Sequence, residues 1–163
     1  MIEPIIGFSA FFLIIYIVIR IANKSRKEQY IQLIDEIENQ ILLKIEQTKS
    51  SITTFGLNNR DFLFNNCDLY LTQNAIVILG YTKGSFFKQL SKPIILTSDV
   101  LEYSAKFPFA YIMRFNKINF ENNIMGVYFG EKGLTKTEVV IKLKSLKENE
   151  IDKFKEQALK NCW

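Results

Sequence analysis

The stretch that most constrains this chain is Pro4 to Ile19, PIIGFSAFFLIIYIVI, which carries no charge, is rich in Ile and Phe, and ends at Arg20. Continued as a helix to Ala22 it rises about 28 Å at 1.5 Å per residue, close to the ~30 Å hydrocarbon core of a bilayer. A secretory signal would need a basic start and a small-x-small cleavage site. The chain begins Met1-Ile2-Glu3 and follows the apolar run with Arg20-Ile21-Ala22-Asn23. A buried core helix normally shows a polar stripe, which this stretch lacks. Residues 1–22 are therefore expected to form a retained, single-pass transmembrane anchor. Arg20, Lys24, Arg26 and Lys27 crowd its C-terminal flank, and only Glu3 marks the other. Because Lys and Arg near a span stay on the cytoplasmic side, the expected orientation in the cell membrane has the N-terminus outside and the rest of the chain in the cytoplasm.

Of the 163 residues, those beyond the anchor suffice for one ordinary domain. The net charge of +4 equals the four juxtamembrane basic residues, so the remainder is near neutral and carries no broad footprint for nucleic acid. Histidine is absent, which removes the commonest general base and metal ligand. The two cysteines, Cys67 and Cys162, read as free thiols in a cytoplasmic domain. Asp99, Glu102 and Lys106 read as a solvated helix face. Gly80 and Gly84 do not fit a phosphate-binding loop. Neither an enzyme nor a metal or cofactor is expected.

From Asn23 to Ser51, Tyr30, Ile34, Ile37, Ile41, Ile45 and Thr48 recur at steps of three and four, predicting a juxtamembrane amphipathic helix over 23–51. Its stripe packs on the following domain or pairs two copies in a short coiled coil. A β-rich domain is then expected over 52–163. Asp68–Thr72 and Ala75–Tyr81, separated by Gln73-Asn74, read as a hairpin. Further strands are expected over Lys92–Thr97, Phe109–Phe115, Asn123–Gly130 and Thr137–Leu143, with a helical turn or wide connection between Ser98 and Lys106. A closing helix is expected over about 145–160, with Ser145 capping and Ile151, Phe154 and Ala158 on its apolar stripe.

The segment DLYLTQNAIVILGY, Asp68 to Tyr81, resembles the Leu-Tyr-Leu-Thr hairpin of GRAM and bacterial PH-like domains, in which a short turn leads to a strongly apolar strand. The resemblance covers about Phe55 to Leu159. It implies an α+β fold, a bent antiparallel barrel or sandwich closed by the C-terminal helix, working as a binding or scaffolding module toward lipid headgroups or a protein partner. The stretch KGSFFKQLSK then supplies a candidate contact surface, Lys83, Phe86, Phe87, Lys88 and Lys92, whose bland alternative is an ordinary charged strand edge. Arg20, Lys24, Arg26 and Lys27 form a second candidate, a topology signal with room for acidic headgroups. An accessory subunit of a larger membrane complex is the competing reading, its span packing through Gly7 and Ser9.

Overall fold

The computed structural model describes residues 3–56, 62–83, 88–121, 123–131 and 137–161, with side chains from residue 11 onward. Gly7, Ser9, Gly84, Phe86, Phe87 and Cys162, all singled out from sequence, lie outside the described residues or side chains.

Helix α1 runs unbroken from Glu3 to Ile37. The segment expected as the anchor and the start of the amphipathic helix are continuous, with no Pro or Gly between them. Among the described residues no helix is long and apolar enough to cross a membrane. The uncharged run Pro4–Ile19 rises about 24 Å before Arg20, short of the ~30 Å hydrocarbon core. The expected transmembrane span is therefore corrected, and the single-pass orientation that depended on it goes too.

The amphipathic helix expected to Ser51 stops at Ile37, and a 3-10 turn, Glu38–Gln40, leads into strand β1, Ile41–Phe55. The three-four spacing misleads here because Ile41, Leu43 and Ile45 also alternate. A bulge then resets the parity. Gln47 has φ 57°, the register with the next strand shifts between Ile45 and Thr48, and both of those side chains end up buried. The Gln47 N–H donates to Asp68 Oδ1 at 2.8 Å, which satisfies a backbone group that the bulge removes from the ladder.

Strands β2 (Asn66–Thr72) and β3 (Ala75–Lys83) form the expected hairpin. They are followed by β4 (Lys88–Leu90), β5 (Ile94–Thr97), helix α2 (Val100–Lys106), β6 (Tyr111–Met113), β7 (Phe115–Glu121), β8 (Ile124–Gly130), β9 (Glu138–Lys144) and helix α3 (Glu148–Lys160). The sheet order is β6-β5-β3-β2-β1-β9-β8-β7, with β4 pairing beside β5 on β3. The long strand β1 joins the two halves. Its first part pairs with β2 and its second with β9, and Lys49 is in register with both.

The expected antiparallel barrel or sandwich is thus replaced by an open mixed sheet, of nine strands among the described residues. It is mixed because α2 crosses over and sets β6 parallel to β5. It is open because, among the described residues, no ladder joins the edge strands β6 and β7. These two are consecutive in the chain, the expected single strand Phe109–Phe115 being broken at Arg114. With one residue between its edges, the sheet has to curl.

Curling gives the sheet two apolar faces. Leu69, Leu71, Ile76, Ile78, Ile94, Leu96, Val127, Phe129, Ile141 and Leu143 line the inner one, with Ile151 and Phe154 of α3 packed into it. On the outer face, Tyr70, Val77, Leu79 and Ile95 meet Leu33 and Ile37 of α1 and Tyr103 and Phe107 of α2. Strands β2, β3 and β5 are covered on both sides, which is why β3 reads as an uninterrupted apolar run. Helix α3 begins two residues later than Ser145 would place it. The Lys147 N–H donates to Glu150 Oε2 at 2.8 Å, which is the capping contact found.

Candidate functional site

Helix α1 lies across the β3–β4 edge, and Asn23, Tyr30, Leu33 and Ile37 fix it there. Asn23 donates through Nδ2 to Lys88 O at 2.7 Å and accepts from Leu90 N–H at 2.9 Å. One amide thus satisfies two backbone groups of β4 that the β3 ladder leaves free. Two turns on, the Tyr30 hydroxyl sits 2.7 Å from Gly80 O and 2.9 Å from Ser91 O. Burial pushes its pKa up to about 12. Further along, Leu33 and Ile37 are fully buried.

Between these fixed points and the sheet is a cleft of about 610 Å³. Arg20, Lys24 and Lys27 reach it from α1 and Lys88 from β4. The helical period explains the first three: positions 20, 24 and 27 share a face. Ile21, Leu90 and the Tyr81 ring supply carbon surface, and Asp68, the acceptor for the β1 bulge, is the carboxylate among the lining residues. The Lys88 ammonium stands 4.0 Å from the centroid of Tyr81, a cation–π contact that holds the charge beside the cleft. Arg20 is braced one turn back, its Nε donating to Tyr16 Oη at 2.9 Å. Four cations and one carboxylate around a largely apolar hollow suit an anion. Among the described residues no group of His, Cys, Asp and Glu could hold a metal ion.

The two basic clusters singled out from sequence therefore meet, in part. Arg20, Lys24, Lys27 and Lys88 share the cleft. Arg26 and Lys92 lie on the other side of Asn23, lining a neighbouring hollow of about 300 Å³. Arg26 donates to Gln29 Oε1 at 2.8 Å, and Lys92 stands 4.1 Å from the centroid of Tyr111. Lys83 is exposed at the end of β3, opposite Lys88 in the ladder. Asn23, Asp68 and Tyr81 were not anticipated. Their places depend on how α1 crosses the sheet, and the polar Asn23 inside a helix is the one local signal. Comparison with known proteins finds no family model, curated protein or solved structure that matches the chain.

Proposed function

We propose that this chain is a binding module rather than an enzyme, and that the cleft between α1 and β4 holds a phosphate-type anionic group. What carries the reading is the convergence of Arg20, Lys24, Lys27 and Lys88 on one cleft from two separate elements. Among the described lining residues they face a single carboxylate, Asp68, which leaves an excess of positive charge in the cleft.

The same chemistry is offered by a free phosphate ester and by a lipid headgroup, and titration of the full chain separates them. One arm uses glycerol phosphate, and the other uses vesicles with and without an anionic phospholipid. Replacing Lys24, Lys27 and Lys88 together by Ser is expected to weaken binding at least tenfold, whereas Lys83→Ser with Lys92→Ser leaves it unchanged. Binding of the soluble ester identifies a free phosphate. Binding confined to anionic vesicles identifies a headgroup. Binding to neither, or equal loss in both sets of variants, overturns the reading.

A further inference from the structure

The cleft is larger and more apolar than a small anion needs, and it opens along α1. Leu13, Ile17 and Ile21 follow one another at one-turn intervals on the helix face that carries Arg20, Lys24 and Lys27. All three are open to solvent, Ile17 at 46% and Ile21 at 65% relative exposure. From Leu13 to Ile21 this apolar track runs about 12 Å. It begins inside the cleft, where Ile21 and Leu90 form part of the wall, and leads away from the cationic end. Phe12, Ile14 and Val18 are exposed on the other faces of the helix as well, and exposed apolar surface of this extent marks an interaction surface; this track is set apart by running into the cleft, whose charges fix the polarity of what fits on it.

Resting on the anion-binding reading of the cleft, we propose that its ligand is a single anionic amphiphile. The phosphate-type head lies among Arg20, Lys24, Lys27 and Lys88, and the apolar chain lies along Ile21, Ile17 and Leu13. Each methylene buried contributes about fourfold in affinity, so the chain rather than the head dominates binding until the track is filled.

The test is a series of monoalkyl phosphates, from ethyl to dodecyl, titrated into the full chain by calorimetry below their critical micelle concentrations. Dodecyltrimethylammonium serves as the cationic control. Affinity is expected to rise at least tenfold from ethyl to dodecyl. Leu13→Asn with Ile17→Asn, both outside the cleft wall, should remove most of that rise while leaving ethyl phosphate binding as it was. Both positions are exposed, so the pair should leave the fold intact, which the circular dichroism and melting temperature of the variant check. Equal affinity across the series overturns the chain track but leaves the head site standing. A rise that survives in full in the Leu13 and Ile17 variant, or equal binding of the cationic control, also overturns it. Binding of no member of the series overturns the cleft reading itself.

Discussion

Removing the Tyr30 hydroxyl should make the protein less stable at neutral pH and more stable at high pH. In Tyr30→Phe the ring stays in place and only the contacts to Gly80 O and Ser91 O are lost. Gly80 O keeps its bonds from Ser91 N–H and Ser91 Oγ, each at 2.9 Å, so no fully orphaned carbonyl remains there. The loss is that of one ordinary hydrogen bond, about 1 kcal/mol. Titration acts in the opposite direction. Burial raises the hydroxyl from its usual 10.0 to about 12 in the folded protein. A raised folded pKa means that the hydroxyl's contribution is whole below the unfolded value and drains away as pH rises through the folded one. At pH 12 the wild type has lost about 2 kcal/mol through this group alone, a loss that Phe cannot suffer. The difference between the proteins should therefore change sign near about pH 10.7. Urea denaturation of both proteins at pH 7, 9, 10.5 and 12 measures it, and groups that titrate equally in both cancel in the difference. A constant difference across that range would refute the assignment of Tyr30 as the buried fastener of α1, as would no loss at pH 7.

Phe154 is fully buried where α3 enters the inner core, so Phe154→Ala should cost about 3–5 kcal/mol, read as a fall in the denaturation midpoint. At Gly80 an added Cβ would lie 2.4 Å from the Phe64 ring, whereas at Gly126 it would meet Tyr128 at 3.2 Å. Gly80→Ala should therefore cost about 1–3 kcal/mol and Gly126→Ala clearly less, compared by thermal melting. Asp68→Ala leaves the Gln47 N–H of the β1 bulge without its acceptor and should cost about 1–2 kcal/mol. Gln47→Gly, which relieves the φ of 57°, should be neutral or stabilising by up to about 1 kcal/mol. Chemical denaturation should thus show a clear loss for Asp68→Ala and none for Gln47→Gly.

Local signals were legible where the pattern has one reading. The Gln73-Asn74 break and the β-branched run after it placed β2 and β3 within a residue or two, and Ile151 and Phe154 of the final helix are buried as their spacing suggested. What failed depends on the rest of the molecule. Ile41 and Ile45 fit helix and strand equally, and the αL residue that reconciles them, Gln47, is held by a side chain 21 positions away. The parallel pairing of β6 and the break at Arg114 follow from the crossover of α2, which no local pattern announces. In the candidate site, the basic residues could be read along the chain as two groups. Their union could not, because it is made by Asn23 gripping β4 across 65 and 67 residues.

That grip also bears on how the protein keeps from sticking to copies of itself. A short outer strand such as β4 would ordinarily present a free N–H and C=O to any extended segment that drifts past, which is how edges seed fibrous aggregates. The Asn23 carboxamide occupies both and does so from a helix, which cannot be extended into a further strand. A chain with Ala at this position would keep its core intact and yet expose a template. Its first symptom should be slow, concentration-dependent turbidity with thioflavin binding rather than a lower melting temperature.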